Sequence, residues 1–296
     1  MLAGILSTAT AFTLWGIFPL YLKLLKSIPA LEILSHRVVW SIVLLAVILG
    51  LRRQWTWVNK IRQRPRIALV FVASAAMLAT NWVVYIWAVG EQRIIDASLG
   101  YFITPLFNVL FGIMLGERLR NAQWLAIAFA ACGVIWLTIG VGQLPWIGLT
   151  LAVTFSLYGL LRKTAPLGAL EGLTAETLVM LPLAALFLLL PNSGSSHAFT
   201  AGDTFMSGLL LAAGPVTAVP LLLFAFGARR IPLSMLGLLQ YIGPSIQLLL
   251  GIWLYHEPFG ENRLIGFALI WAGLIVYSVQ GIWRTWRPRS EAKNPD

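Results

Sequence analysis

The sequence predicts an all-α membrane protein: ten transmembrane helices built as two inverted five-helix repeats, with both termini cytoplasmic. Three observations predict it. Of the 296 residues, 59% are hydrophobic and 11% charged, against about 45–50% and about 25% in soluble domains. Ten apolar runs consume almost the whole chain, each near the roughly 20 residues that a helix needs to cross a bilayer core. The second half of the chain also repeats the first. The composition excludes disorder, which needs low hydrophobicity and high charge. With Cys132 as the single cysteine, no internal disulfide or thiolate zinc cluster can form. His36, His197 and His256 lie far apart, so neither a metal site nor a cofactor is expected.

The first run, 2–22, carries Pro19. It has no basic leading region and is too long for a signal core, so it is expected to be a span rather than a cleaved leader. Run 30–51 holds Glu32, His36, Arg37 and Trp40, and run 67–90 holds Asn81 and Tyr85. Run 97–116 holds Tyr101, Pro105 and Asn108; run 122–140 is apolar with small residues; run 146–161 holds Tyr158. Run 172–190 begins near Glu176, and run 205–227 contains Pro215 and Pro220. Run 234–255 holds Gln240, Tyr241, Pro244 and Gln247, and run 264–283 closes the set. Strands of a membrane barrel would be about 10 residues long and alternate with period two. These runs are longer and apolar on all faces.

The net charge of +10 reflects topology, not nucleic acid, because the basic residues sit between the runs. With a cytoplasmic N-terminus, Arg52, Arg53, Lys60, Arg62, Arg64, Arg66, Arg118, Arg120, Arg162, Lys163, Arg229, Arg230, Arg284, Arg287, Arg289 and Lys293 fall inside. Lys23, Lys26, Arg93 and Arg263 fall outside, and Arg37 lies within a span. The positive-inside rule selects this orientation. Trp55, Trp57, Trp283 and Trp286 read as interfacial belt residues.

The repeat is carried by polar and small residues. Leu99, Gly100, Pro105, Asn108 and Gly112 match Leu236, Gly237, Pro244, Gln247 and Gly251. Glu117 matches Glu257, and Gly133-Val134-Ile135 matches Gly273-Leu274-Ile275. The halves are 1–140 and 141–296, five spans each. Because five is odd, the second half enters the membrane inverted. Such a pair, related by an axis in the membrane plane, is a transporter signature with a site near the midplane. Pro105 and Pro244 read as matched kinks that either shape a cavity and hinge it or improve packing.

Several segments resemble a known family. "WGIFPLYLK" at 15–23, "ILSHRVVW" at 33–40, "NWVVYIWAV" at 81–89, "ASLGYFITPLFNVLFGIMLGERL" at 97–119 and "LGLLQYIGPSIQLLLG" at 236–251 are similar to the RarD proteins, in the EamA group of the drug/metabolite transporter superfamily. The resemblance covers essentially the whole chain. It implies a multi-pass protein of the bacterial inner membrane that moves small metabolites or drugs, often outward.

The polar residues inside spans are the candidate site. A charge at a helix centre costs about 2.5–3.5 kcal/mol on insertion scales. Arg37 sits roughly 10 Å below the outer end of its span at 1.5 Å per residue. It is expected either to bind an anionic substrate group or to pair with Glu32 or Glu176. Glu32, His36 and Glu176 are candidates for gating or proton coupling. Trp40, Asn81, Tyr85, Tyr101, Asn108, Tyr158, Gln240, Tyr241 and Gln247, with His36 and Arg37, are candidate cavity residues. The amides among them either line a cavity or tie helices together. An intramembrane enzyme is the competing class. His256-Glu257 starts like a zinc-protease motif, but Gly260 stands where its second histidine would be. A non-transporting scaffold would leave the buried arginine unexplained. The expected function is secondary transport of a small organic solute by alternating access, by a monomer or homodimer in lipid.

Overall fold

The computed structural model describes residues 1–53, 55–114, 121–190, 199, 203–228, 230–231 and 239–286. Side chains are described for these except 65, 109, 112–114, 122, 123, 141, 163, 164, 225, 228, 277, 278 and 280–286. The expectations for Glu117, for Leu236-Gly237 and for the side chains of Trp283 and Trp286 therefore lie outside the described residues.

Eleven helices and no strand occur among the described residues: α1 (Leu2–Leu24), α2 (Ala30–Arg52), α3 (Thr56–Gln63), α4 (Pro65–Gly90), α5 (Ile94–Met114), α6 (Asn121–Val141), α7 (Trp146–Thr164), α8 (Ala169–Leu189), α9 (Thr204–Ala228), α10 (Ile242–Trp253) and α11 (Glu261–Trp286). Length and hydropathy alone qualify five described stretches to cross a membrane: Leu2–Leu24, Ala30–Arg52, Arg66–Gly90, Ala169–Leu189 and Thr204–Phe224. Trp124–Gly140, Trp146–Arg162 and Ile242–Trp253 are shorter apolar helices. Many large apolar side chains face outward, among them Ile139, Leu183 and Leu189. In water so broad an apolar surface would aggregate; in lipid it is the solvated face.

Helix α3 is an element that the sequence reading missed. It is eight residues long, below the length of a span, and joins α2 to α4. Trp57, expected at an interface, is instead buried with Leu49, Phe71, Leu167 and Ala175, while Trp55 stays exposed. The apolar side of this short amphipathic helix is pinned to the bundle by that indole, with the half-buried Ile61 beside it.

The principal packing pairs join distant parts of the chain. Helix α6 packs most extensively on α11, α5 on α7, α2 on α8 and α9, α1 on α9 and α10, α4 on α7 and α8, and α5 on α10. Glycines allow the close approaches. A Cβ at Gly214 on α9 would strike the backbone of Trp40 on α2, and one at Gly100 on α5 would meet Gly148 on α7. Lipid offers no hydrophobic drive for helix association, so such fits and interhelical hydrogen bonds hold the bundle together.

The prolines fall in unlike settings. Pro105 is buried inside α5. Pro244 stands in the first turn of α10, whose N-cap is Tyr241, where a missing N–H costs no helical bond. Pro19 lies inside α1 and denies a donor to the carbonyl of Trp15, four residues back. The side-chain amide of Gln247 on α10 supplies that donor at 3.0 Å. The carbonyl of Pro19 itself accepts from the Tyr255 hydroxyl at 2.8 Å.

Candidate functional site

Arg37 is eight residues into α2 when Ala30 is counted as the first, and is 5% exposed. Its Nε donates to Thr217 Oγ1 on α9 at 2.9 Å. The Thr217 hydroxyl is already committed as a donor, to the Ala213 carbonyl at 2.7 Å, so an oxygen lone pair is left to receive the guanidinium. The Arg37 Cζ lies 4.2 Å from the ring centroid of Trp82 on α4 and 4.9 Å from that of Phe18 on α1. Cation–π contacts out of water are worth about 2 kcal/mol, comparable to the insertion cost of the charge. The expected pairing of Arg37 with Glu176 does not occur: the cation that approaches Glu176 is Arg162.

From Phe18 a train of rings crosses the bundle. Phe18 stacks on Tyr21 (5.6 Å between centroids) and on Tyr85 (6.0 Å). Tyr85 meets Tyr101 edge-on at 5.8 Å, Tyr101 meets Phe155 at 6.1 Å, and Phe155 meets Tyr158 at 6.0 Å. Tyr158 then donates its hydroxyl to Glu176 Oε2 at 3.3 Å. The train thus joins α1, α4, α5 and α7 to α8. Asn81 braces its middle, donating to the Leu151 carbonyl and to Thr154 Oγ1, both at 3.0 Å, and accepting from Tyr101 at 3.4 Å.

At the other end Glu176 is wholly buried. Ser74 on α4 donates to its Oε1 at 2.7 Å, and Arg162 Nε on α7 stands 3.6 Å from the same oxygen. Arg162 Nη2 also donates to the carbonyls of Gly168 and Ala169, at 3.2 and 3.4 Å. Gly172 makes room for this guanidinium, because a Cβ there would overlap it.

Of the residues expected from sequence, Arg37, Asn81, Tyr85, Tyr101, Tyr158 and Glu176 belong to this one assembly. His36 and Trp40 sit to one side, with Trp40 Nε1 donating to His36 Nδ1 at 3.2 Å and both rings near Phe199. Glu32 is buried one turn from His36. Tyr241 stacks on Phe102 in a second aromatic cluster with Phe267 and Trp271. Gln247 is tied to α1, Gln240 is half-buried and Asn108 is exposed. Sequence reasoning missed Phe18, Tyr21, Ser74 and Thr217, and missed Arg162 as the partner of Glu176. A polar residue in an apolar run was the available signal for Ser74 and Thr217. No signal marked Phe18 as a guanidinium's neighbour.

Glu257 has a structural place. Its carboxylate accepts from the backbone N–H groups of Ile94 (2.6 Å) and Ile95 (2.9 Å), capping the start of α5. Burial raises its carboxyl above the usual range, and the two backbone bonds oppose that shift. Among the described residues no group of three His, Cys, Asp or Glu could hold a metal ion.

The family model of the EamA-like transporter family matches residues 2–139. An uncharacterised transporter of Pseudomonas aeruginosa is 46% identical over 279 residues, covering 94% of this chain and 93% of its own. The transporter YojE of Bacillus subtilis is 43% identical, with 95% of each chain covered. The protein RarD of Escherichia coli is 42% identical, again covering 95% of each. The chain belongs to the RarD branch of the EamA-like transporter family. It is a multi-pass inner-membrane protein and a membrane transporter of the drug/metabolite type. A crystal structure 20% identical to it superimposes with a TM-score of 0.62 over 94% of this chain and 98% of the other, a likeness of fold.

Proposed function

We propose that this EamA-family protein is a secondary transporter of small organic metabolites or drugs, working as an exporter by alternating access between two inverted five-helix halves. The halves are 1–140 and 141–296, with both termini cytoplasmic. The observation that carries the reading is the exchange symmetry of the packing. Swap α1 with α7, α2 with α8, α4 with α9, α5 with α10 and α6 with α11. Then the α5–α7 pair becomes α10–α1, α1–α9 becomes α7–α4, and α2–α9 becomes α8–α4. The pairs α6–α11, α2–α8 and α5–α10 map onto themselves. Two like halves that touch chiefly each other have two packings of similar energy, one open to each side.

In this reading Arg37, Tyr85 and Tyr101, with Asn81 and Tyr158, line the solute path. Glu176 with Arg162 closes it toward the cytoplasm. Glu32 and His36 lie toward the outside, and Glu32, His36 and Glu176 are the groups that could carry a coupled proton. The test is flux into or out of proteoliposomes that hold the purified full chain under an imposed pH gradient. Candidate solutes are supplied as cations, neutral molecules and acids. Gradient-dependent flux of at least one class is expected. Arg37→Gln should abolish it while membrane insertion is retained. No flux of any class by folded protein overturns the reading, and normal flux in Arg37→Gln removes that residue from the path.

A further inference from the structure

A buried cation in a membrane protein normally has an acid or backbone carbonyls beside it. Arg37 has none: among the described residues no carboxylate stands within ion-pair distance of it. Its electrostatic neighbours are the phenols of Tyr21, Tyr85 and Tyr101. Its Nη1 is buried without a hydrogen-bond partner. The hydroxyl of Tyr85, a residue 4% exposed, is likewise buried and unpartnered. The two are neighbours: each is within electrostatic reach of the other, and Phe18 contacts both. The other two phenols are engaged, Tyr21 donating to the Leu209 carbonyl and Tyr101 to Asn81 Oδ1. One place in the bundle therefore holds a positive charge with no counter-ion and two unmet donor groups.

We infer that Arg37 and Tyr85 form the receptor for a carboxylate, and that the transported solute is a small organic monocarboxylate with an apolar or aromatic body. The inference deepens the transport reading and rests on it. The stoichiometry selects the group. A carboxylate brings one negative charge and two acceptor oxygens, which meet one guanidinium edge and one phenol. A phosphate monoester brings a charge of about −1.5 to −2 and three acceptor oxygens, more than the site can neutralise. A cation would face Arg37 across the same rings. The walls select the body, because Phe18, Trp82, Tyr85 and Tyr101 offer ring faces and edges with few other polar atoms. The Thr217 bond fixes Arg37 through Nε, and so leaves the far edge of the guanidinium for the ligand. Arg162 in the same molecule also has an unpartnered Nη1, but its charge is met by two carbonyls and a glutamate, where Arg37 has neither.

The test is the unfolding midpoint of the purified full chain in detergent. The probes are benzoate, phenylacetate, their neutral amides, inorganic phosphate and tetraethylammonium, all at matched ionic strength. A saturable rise in midpoint with at least one of the two acids, absent with its amide, is expected. Arg37→Met should lose that response, with its ligand-free midpoint unchanged or raised, because a buried charge without a partner has been removed. Tyr85→Phe should keep the fold and weaken the apparent affinity about tenfold, the effect of one hydrogen bond to a charged acceptor. Should Arg37→Met fail to fold, the inference still stands or falls on Tyr85→Phe and on the contrast of acid with amide. It is overturned by equal responses to acid and amide, by response to phosphate or tetraethylammonium alone, by no response at all, or by an unchanged acid response in Arg37→Met. Flux separates it from the transport reading. Movement of cations or neutral solutes without acid binding overturns the carboxylate site and leaves transport standing. Arg37-dependent acid binding without flux of any solute does the reverse.

Discussion

Arg37 and Glu176 are opposite charges at equivalent depths of two helices. Each stands seven residues beyond the first residue of its helix, α2 or α8, roughly 10 Å along the axis. Their surroundings differ completely. Glu176 has a serine, a tyrosine and an arginine directed at its two oxygens. Arg37 has a threonine, two ring faces and an open nitrogen. The first arrangement is closed: its charge is answered inside the protein, and the answer joins α4, α7 and α8. The second is incomplete without a further group. A carrier needs both kinds. A closed cluster holds one side of the bundle together, and an unanswered charge gives a solute something to complete.

The sharpest way to break this contrast is to remove the acid. Glu176→Ala removes the acid facing Arg162, leaves Tyr158 without its acceptor and leaves Ser74 only the Phe71 carbonyl. Breaking a buried pair in this way costs about 3–5 kcal/mol. The lower end is expected here, because Arg162 keeps the carbonyls of Gly168 and Ala169. The thermal unfolding midpoint should drop by the largest margin of any variant discussed. Arg37→Met should move the other way or not at all. Equal losses in the two variants would mean that both charges are structural. The next largest effect probes the same cluster without touching a charge. Gly172→Ala forces a methyl group into the Arg162 guanidinium, and overpacking of that kind costs about 1–3 kcal/mol. Midpoint and proteolytic resistance should both fall. A neutral outcome would show that Arg162 can withdraw freely from Glu176. A comparable loss is expected from Gln247→Leu, which leaves the Trp15 carbonyl, already denied a donor by Pro19, without a partner; such a group costs about 1–3 kcal/mol. The double variant with Pro19→Ala restores an N–H at that position and should recover part of the loss.

The apolar helices were legible in the sequence because lipid imposes one rule on a long stretch: no charge, no break. The start of α2 at Ala30 and the end of α4 at Gly90 fall where the apolar pattern places them. The short α3 was not legible, because eight residues fall below any span-length signal and its burial hangs on Trp57. The polar members of the buried assembly were visible as misfits in apolar runs, as Arg37, Asn81 and Glu176 show. Their partners were not. Pairing depends on which helices touch, and the pairs that touch are distant in the chain, as Arg37 with Thr217 shows. Gln247 shows the other limit. Its amide reads equally well as a cavity donor or as interhelical glue, and only the freed carbonyl of Trp15 decides for glue. The prolines matched in the sequence likewise do not share a role, since Pro105 is interior to α5 and Pro244 opens α10.

The smallest expected effect is the most discriminating. Tyr85 is buried against Phe18 and Tyr101, and its hydroxyl meets nothing. A hydroxyl buried without a partner carries a desolvation cost of about 1–3 kcal/mol, so natural packing alone would favour phenylalanine at this position. Tyr85→Phe should leave the ligand-free unfolding midpoint equal or slightly higher. Both ring contacts persist in the variant, so a structural role predicts no change in any functional readout. A receptor role predicts slower flux and a weaker acid-dependent midpoint shift from a protein that is no less stable. A lowered ligand-free midpoint would instead mean that the hydroxyl already serves the fold, and the distinction between an answered charge at Glu176 and an unanswered one at Arg37 would lose its second witness.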